Sequence, residues 1–198
     1  MRFLTDPVGL PGLIALGVGI GVFLVALLRA RARGVKSPKS PDARRSNASI
    51  WGIVLQGIGI GIVGFGPIRV DLDPASATAL IEGAIVLVLM LGAVWLFDSS
   101  SRAMGRNWAL VARTRDDGTL VQSGPFAVIR NPIYVAMALF TLAMAIAYGH
   151  TLNLIAGAPL FALGTWMRVR HEEAVLRATF PDYDGYAARV KRFVPGVF

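Results

Sequence analysis

The sequence predicts an all-α, polytopic membrane protein with five transmembrane helices. Of its 198 residues, 55% are apolar and only 16% are charged, whereas soluble domains carry about 25% charged residues. The mean hydropathy is +0.59, and the apolar residues lie in long uncharged runs. A five-span arrangement also places 18 of the 20 Lys and Arg residues on one side of the membrane. These observations exclude a disordered chain and an ordinary water-soluble globule.

Four long runs with almost no charged residue define the spans. They are Pro7–Leu28, Ser46–Ile68, Pro74–Phe97, which contains only Glu82, and Asn131–Met167. A bilayer core about 30 Å thick needs roughly 20 helical residues, so each of the first three runs forms one span. The fourth run has 37 residues and breaks at Tyr148-Gly149-His150, which predicts two short helices in a tight hairpin. The predicted spans are 8–28, 49–66, 76–97, 132–148 and 151–168.

We expect the first run to be a membrane span and not a cleaved signal peptide. Its apolar stretch is longer than the usual signal-peptide core of about 7–15 residues. It has no basic leader beyond Arg2, and no small-x-small cleavage site precedes the following Arg residues.

The distribution of Lys and Arg predicts the orientation. These residues lie in a basic flexible loop at 29–48, in a loop at 98–131, and from Arg168 through a tail at 169–198; only Arg2 and Arg69 lie on the other side. Because basic loops face the cytoplasm, we expect a single membrane domain over 1–198, N-out and C-in, in a plasma or inner membrane. The net charge of +8 then indicates membrane lipids as partners, with no nucleic acid.

The composition also excludes several kinds of site. The chain has no cysteine, so it has no disulfide, zinc-thiolate site or cysteine nucleophile. Two histidines, His150 and His171, are too few for a histidine-rich metal site, and we expect no metal. His150 is predicted to be solvated in the outer turn of the hairpin. Glu82 is predicted to reach water near the outer interface, the alternative being a functional carboxylate in an aqueous cavity.

Glycines in the spans indicate close helix packing. Span two contains Gly59-Ile60-Gly61-Ile62-Val63-Gly64, which matches a dinucleotide-binding string. That string has physical meaning only at a strand-to-helix turn, and here it lies within an apolar helix. We expect Gly57 with Gly61, and Gly17 with Gly21, to form helix contacts at small-xxx-small spacing.

A first candidate site precedes span four. The segment Gly124-Pro125-Phe126 leads to Asn131-Pro132. Proline suits the first position of a helix, and asparagine before it can act as the N-cap. Because a helix N-terminus presents free N–H groups and partial positive charge, it can receive a carboxylate or another polar ligand. The alternative is simply a well-capped transmembrane helix.

A second candidate site follows span five. Arg168 and Glu172 are four residues apart and share a helix face, and Arg170 can meet Glu173 three residues on. The adjacent glutamates point about 100° apart, so one can face a pocket while the other faces elsewhere. The alternative is a solvated helix whose ion pairs each contribute less than about 1 kcal/mol.

The order of these motifs is more specific than any one of them. Gly-Pro-aromatic begins at Gly124, Arg-x-Pro-x-Tyr begins at Arg130, Arg-x-x-x-Glu-Glu begins at Arg168, and Phe-x-x-Tyr-x-x-Tyr begins at Phe180. This order resembles the integral-membrane methyltransferases of the isoprenylcysteine carboxyl methyltransferase and phospholipid methyltransferase superfamily. The resemblance covers about Gly105 to Pro195 and includes Gly105-Arg106-Asn107-Trp108. Spans one to three resemble the family only in being apolar.

The chain departs from the family pattern at three positions. Asn131 stands where the family often has histidine, and Phe126 stands where tyrosine is common. Gly118 replaces a histidine that often lies two residues before the leucine at position 120. These departures leave open an alternative, a catalytically inactive membrane scaffold or a lipid-binding or assembly protein on the same fold.

The resemblance implies S-adenosylmethionine as the methyl donor, held at the cytoplasmic ends of the last two spans. The residues expected to bind this cofactor are Leu120, Gly124, Pro125, Phe126, Arg130, Asn131, Pro132, Tyr134 and Glu173. Arg168 and Glu172 are assigned to catalysis on a lipophilic or amphiphilic acceptor that enters from the lipid. Arg168 would orient an acceptor carboxylate by a two-pronged contact, and Glu172 would act as the base for an amine or a thiol. The sequence determines neither the acceptor nor the oligomeric state.

Overall fold

We describe a computed structural model of the protein, covering residues 5–33, 47–105 and 119–197. All regular secondary structure in these ranges is helical. The α-helices are α1 (Leu10–Arg33), α2 (Asn47–Gly64), α3 (Ala77–Met104), α4 (Pro132–Ala147), α5 (Leu154–Thr179) and α6 (Tyr183–Arg189). Short 3-10 turns at Gly124–Ala127 and Thr151–Asn153 precede α4 and α5. The predicted all-α class is confirmed for this part of the chain.

Three helices are long and apolar enough to cross a membrane, namely α1, α3 and the helical stretch Thr151–Thr179 that contains α5. The apolar parts of α2 and α4 are shorter, at Ile50–Gly64 and Pro132–Ala147. At 1.5 Å per residue, α4 is about 24 Å long. The exposed faces of the bundle are apolar as well, with Ile14, Val88 and Ile155 each more than half exposed. The molecule is therefore built as a membrane protein, while the five crossings and their orientation stay predictions.

The long helices continue beyond the predicted ends of the spans. α1 ends at Arg33 and not at 28, α3 ends at Met104 and not at 97, and α5 ends at Thr179 and not at 168. Parts of the segments predicted as loops and as a tail are thus helical. The prediction ended each span where charge begins, but charged residues support a helix when they pair. Asp98, for example, forms ion pairs with both Arg33 of α1 and Arg102 of its own helix. Residues 34–46 and 106–118 of the two basic loops lie outside the described residues.

The helices pack in two groups, the first made of α1, α3 and α4. Gly12 near the start of α1 lies beside Gly83 of α3, and Arg33 at the end of α1 reaches Asp98. The two helices therefore run in the same direction. Gly12 also lies beside Ala147 at the end of α4, so α4 runs in the opposite direction.

The second group is the antiparallel pair of α2 and α5, which contacts the first group through α4. Gly64 at the end of α2 lies against Met144 near the end of α4, so these two helices run the same way. Consecutive helices thus alternate in direction, as five consecutive spans would. We call the end at which α1 and α3 finish the basic end, and the other end the opposite end.

The glycines that join α2 to α5 include Gly59 of the predicted packing string, but not Gly57 or Gly61. A Cβ atom on Gly59 would lie 2.6 Å from the Gly157 carbonyl oxygen, and one on Gly164 would lie 2.6 Å from the Gly52 carbonyl oxygen. Around Gly57, Gly61, Gly17 and Gly21, by contrast, the space within 4 Å of an added Cβ is open. The predicted small-xxx-small contacts are not formed within the described chain, because those four glycines lie on exposed faces of α1 and α2.

Backbone contacts close the opposite end. The Val8 amide donates to the Arg69 carbonyl at 2.9 Å, and the Asp6 amide donates to the Gly149 carbonyl at 2.9 Å. His150 is 1% exposed, with its ring nitrogens 3.1 Å and 3.2 Å from the carbonyl oxygens of Val63 and Pro67. The prediction of a solvated His150 is wrong because the segment after α2 folds over the hairpin turn.

Glu82 lies at the same end, in the second turn of α3. It is half-buried and accepts a hydrogen bond from the Gly9 amide at 3.4 Å. Glu82 thus links the N-terminal segment to α3.

Candidate functional site

The candidate site lies at the basic end, where four elements meet. The 3-10 turn Gly124–Ala127 leads to the start of α4, and the charged part of α5 and helix α6 lie beside it. Gly124 has φ +60°, a left-handed conformation that favours glycine. A Cβ at this position would lie 3.5 Å from the Ala103 side chain, so the turn packs against the end of α3.

A first cluster forms around Arg168 and Glu172. The predicted pair is present, with Arg168 Nη2 3.4 Å from Glu172 Oε1. The Tyr134 hydroxyl donates to the same carboxylate oxygen at 2.6 Å, and the guanidinium lies 5.2 Å from the centre of the Tyr134 ring. Arg168 Nη1 donates to Gln56 Oε1 at 3.0 Å. We call Arg168, Glu172, Tyr134 and Gln56 the α5 cluster.

The electrostatics of this cluster suit a carboxylate that can accept a proton. Burial raises the pKa of Glu172, against the opposing effects of the Tyr134 hydrogen bond and the Arg168 charge. The Tyr134 hydroxyl and Arg168 Nη2 both reach Oε1 of this carboxylate. A carboxylate with a raised pKa is a better general base near neutral pH than an ordinary glutamate.

A second cluster forms around Glu173, which is 4% exposed. Arg192 binds its carboxylate through two nitrogens, with Nη2 2.8 Å from Oε2, and Arg130 Nη2 lies 3.1 Å from Oε1. Burial raises the pKa of Glu173, but the hydrogen bonds from Arg192 and the Arg130 charge outweigh it, so the pKa lies below its usual value. The expected pair of Arg170 with Glu173 is not the one formed, and Arg170 lies against the Trp166 ring instead.

The chain beyond α5 docks on the segment before α4. The amides of Arg130 and Asn131 donate to the carbonyls of Lys191 and Arg192 at 2.8 Å and 3.0 Å. The Tyr186 hydroxyl donates to the Phe126 carbonyl at 2.7 Å. Burial raises the pKa of Tyr186 to about 12, so this hydroxyl stays a donor at neutral pH.

Asn131 stands at the predicted N-cap position of α4, and Pro132 is the first helical residue. The Asn131 side chain makes no capping hydrogen bond, and its amide instead donates to the Arg192 carbonyl at 3.5 Å. The position is as predicted, but the side chain faces the docked tail and not the first turn of α4. The reason is that the Arg192 carbonyl also takes the Asn131 backbone N–H.

The predicted site residues therefore fall into three groups. Arg168, Glu172 and Tyr134 lie in the α5 cluster, which also contains Gln56. Glu173 and Arg130 lie in the second cluster, beside Asn131 and Pro132. The remaining predicted residues lie in or just before the 3-10 turn: Leu120, which is half-buried, Gly124, Pro125 and Phe126. The roles assigned to all of these residues stay predictions.

Sequence reasoning missed Gln56 and Arg192. Gln56 lies in span two, outside the motif-bearing part of the chain, and its only indication was an amide in an otherwise apolar run. Arg192 was counted as one basic residue of the tail. Nothing in its spacing pointed to Glu173, because the chain turns twice between them.

The donor set fits S-adenosylmethionine in part. A sulfonium methyl donor carries positive charge and an ammonium group, for which Glu172 offers a half-buried carboxylate. Glu173 fits less well, because its oxygens already receive two guanidinium groups. Among the described residues, no three His, Asp or Glu side chains are grouped to hold a metal ion.

Comparison with known proteins identifies the class. Residues 81–183, about half of the chain, match the phospholipid methyltransferase family, and the chain belongs to that family. The matched region contains most of α3, all of α4 and α5, and both clusters apart from Gln56 and Arg192.

Two curated relatives are named as metal-resistance proteins and not as methyltransferases. The chain is 36% identical over 111 residues to the cobalt-zinc-cadmium resistance protein CzcN of Cupriavidus metallidurans, an alignment that covers 55% of this chain and 50% of the relative. It is 29% identical over 161 residues to the nickel-cobalt-cadmium resistance protein NccN of Alcaligenes xylosoxydans xylosoxydans, covering 80% of this chain and 69% of that protein. The chain thus spans half the length of the first relative.

Proposed function

We propose that this protein is an S-adenosylmethionine-dependent methyltransferase that acts on a lipophilic or amphiphilic acceptor at the cytoplasmic face of the membrane. The observation that carries the proposal is the α5 cluster. A guanidinium, a carboxylate with raised pKa and a tyrosine hydroxyl meet beside the first turn of α4, in a chain of the phospholipid methyltransferase family.

Exposed tryptophans support a site at the level of the membrane interface. Trp51 and Trp95 are 61% and 66% exposed, and Trp166 is 39% exposed. Trp51 and Trp95 lie in the half of their helices nearer the basic end, and Trp166 lies at the middle of α5. Tryptophan is enriched at the boundary between lipid and water. Trp166 is only two residues before Arg168, so the α5 cluster would lie where the headgroup of an amphiphile lies.

An apolar cleft of about 280 Å³ between α1, α2 and α4 supports a lipophilic acceptor. Its lining includes Ile60 of α2 and Met137 of α4, which lie about one helical turn from Gln56 and Tyr134 respectively. An engineered cavity of roughly 150 Å³ holds a benzene molecule, so this cleft has room for a short length of hydrocarbon chain next to the cluster.

The mechanism assigns one task to each residue. Bound S-adenosylmethionine would supply an electrophilic methyl group on a positively charged sulfur. Arg168 would orient an acceptor carboxylate, in which case no proton has to leave. For an amine or thiol acceptor, Glu172 would take the proton at Oε2, while Tyr134 holds Oε1. The docked tail would exclude water from the segment before α4, and alignment of this kind supplies much of the rate of such a displacement.

The test is transfer of a labelled methyl group from S-adenosylmethionine to membrane lipid extracts, followed by mass spectrometry. We expect a labelled lipophilic product with the unaltered chain. We expect at least a hundred-fold loss with Arg168→Met or Glu172→Gln, whose proteins should still be extracted folded in detergent. Ile155→Ala, on an exposed face of α5, is the matched control. Full turnover in both site variants would refute the site assignment.

The alternative is a scaffold or lipid-binding protein that has lost the chemistry. The replacement of the family's frequent histidine by Asn131 is the observation that favours it. Calorimetry of the purified protein with S-adenosylmethionine separates the two proposals. Binding supports the enzyme, and the absence of binding supports the scaffold.

The names of the relatives suggest a biological setting for either proposal. We propose that the protein contributes to tolerance of cobalt, zinc, cadmium or nickel through its action on a membrane component. Cells that produce the unaltered chain should then grow in higher concentrations of these metals than cells that produce Arg168→Met. Equal growth of the two strains would show that methyl transfer by this site does not contribute to metal tolerance.

A further inference from the structure

Gln56 is a buried amide in an otherwise apolar helix. It is 2% exposed, and leaving such a buried group without partners would destabilise the fold. Both ends of the amide are used by α5. Nε2 donates to the Thr165 hydroxyl at 2.8 Å, and Oε1 accepts from Arg168 Nη1 at 3.0 Å. The Gln56 amide thus bridges the Thr165 hydroxyl and the Arg168 guanidinium of the candidate site.

Gly52 lies one turn before Gln56 and faces the same side chain. A Cβ atom at position 52 would lie 2.6 Å from Arg168 Cγ and 2.9 Å from the Gly164 carbonyl oxygen. Residues four apart share a helix face. The methylene stem of Arg168 therefore packs against α2 at Gly52, which has no side chain. The Arg168 guanidinium then reaches the Gln56 amide one helical turn further along.

These contacts restrict the orientation of the guanidinium. Gln56 binds Nη1, Glu172 lies 3.4 Å from Nη2, and the ring of Tyr134 lies beside the group at 5.2 Å. An arginine side chain loses rotamer entropy when it is fixed in one orientation. Fixing it before the acceptor arrives removes that cost from binding.

We propose that α2 positions Arg168 for the acceptor, with Gly52 accommodating its stem and Gln56 holding its tip. This inference rests on the proposed function. It adds to the site a helix that lies outside the part of the chain matching the family, residues 81–183. Gln56 and Gly52 are positioning residues, because they act through Arg168.

A purely structural role for Gln56 makes a different prediction. If the amide only joined α2 to α5, the Thr165 bond would matter as much as the Arg168 bond. Thr165→Val removes the hydroxyl and leaves the Arg168 contact in place, whereas Gln56→Met removes both. Gln56→Glu keeps an oxygen for Arg168, and the Thr165 hydroxyl can donate to it.

The first experiment measures the contact without any turnover. Gln56→Met, Arg168→Met and the double variant are compared by thermal unfolding in detergent. We expect the double variant to lose clearly less in Tm than the two single variants lose together, because both changes remove the same interaction. Additive losses would overturn the proposal.

The second experiment separates positioning from packing. We expect Gln56→Met to raise the KM for the acceptor roughly ten-fold, the size of one hydrogen bond to a charged group, with the KM for the methyl donor unchanged. Gln56→Glu should restore most of the acceptor KM, Thr165→Val should change it less than three-fold, and Gly52→Ala should raise it. Ile58→Ala, on the exposed face of α2, is the control.

The outcomes distinguish the two proposals. Equal changes in the KM of donor and acceptor, or equal effects of Thr165→Val and Gln56→Met, would overturn the positioning role while leaving the methyltransferase intact. No methyl transfer by the unaltered chain would overturn the proposed function and the positioning role with it. The unfolding comparison would then still report whether the contact exists.

Discussion

The two ends of the bundle satisfy their buried polar groups with different partners. At the opposite end, His150 faces the carbonyls of Val63 and Pro67, and the Asn153 side chain donates to the carbonyls of Ile62 and Phe65 at 3.0 Å each. At the basic end, ion pairs join Glu172 to Arg168, and Glu173 to Arg130 and Arg192. They stand beside hydrogen bonds to backbone carbonyls, such as that from Tyr186 to Phe126. Backbone carbonyls cannot leave without unfolding, whereas paired side chains can exchange a partner for a ligand. The comparison explains why the candidate site lies at the basic end.

The largest effect on stability is expected from breaking the second cluster of the basic end. Glu173→Ala would leave Arg130 and Arg192 next to each other without their carboxylate. Removing one partner of a buried ion pair costs about 3–5 kcal/mol, and chemical or thermal unfolding in detergent would measure it. Glu172→Ala is the matched comparison and should cost less than half as much, because Arg168 keeps Gln56. Equal losses would mean that the two glutamates do not differ in role.

The next largest effect is expected at the opposite end, from Gly149→Ala. Gly149 has φ +69°, and a Cβ there would lie 2.1 Å from the Asp6 carbonyl oxygen. The left-handed conformation costs an alanine about 1–2 kcal/mol and the displaced contact about 1–3 kcal/mol. Gly196→Ala is the control, because Gly196 has φ +74° but open space around it. A loss no larger than that of the control would show that the N-terminal segment does not close this end.

A smaller loss is expected from His150→Phe. The ring volume is kept, but whichever of the Val63 and Pro67 carbonyls accepts the ring N–H loses that donor, at a cost of about 1–3 kcal/mol. Transfer activity of the surviving folded protein should stay near normal, since the basic end is untouched. His171→Phe, at a partly exposed position, should leave the Tm unchanged. A loss of activity without a loss of stability in His150→Phe would contradict the division between the two ends.

The smallest effect is the pH dependence of the second cluster. The pKa of Glu173 is lower in the folded protein than its usual 4.5. Its pairing therefore stabilises the fold fully above pH 4.5, and this contribution is lost as the pH falls through the folded-state value. We expect the free energy of unfolding of the unaltered chain to fall more steeply below pH 4.5 than that of Glu173→Gln, by about 1.4 kcal/mol for each pKa unit of the shift. Chemical unfolding at a series of pH values would measure it. Parallel curves would mean that the ion pairs contribute nothing to folding.

The adjacent glutamates show how far the sequence predicts the site. Spacing alone predicted that Arg168 and Glu172 share a face and that the two glutamates point in different directions, and the structure gives each glutamate its own set of partners. The partner of Glu173 could not be predicted, because Arg192 reaches it only after α6 turns the chain back. Gln56 could not be predicted either. Periodicity does not show which face of an apolar helix meets which neighbour.

The glycines and His150 illustrate the same limit in the fold. Many glycines of α1 and α2 have spacings that suit helix packing, but Gly52 and Gly59 are used while Gly57 and Gly61 are not. His150 lies in a turn, as predicted, and is nevertheless buried, because residues distant in the chain cover it.

By itself, the sequence determined the helical class, the apolar exterior, the separation of basic residues to one end, and the motif order of the family. These properties follow from composition and local spacing, since membrane burial and helix periodicity act on each segment separately. Only the tertiary structure decided which glycines touch, which carboxylate stays available and which helix holds Arg168. Those outcomes depend on the rotation of each helix about its axis, which packing between distant segments sets.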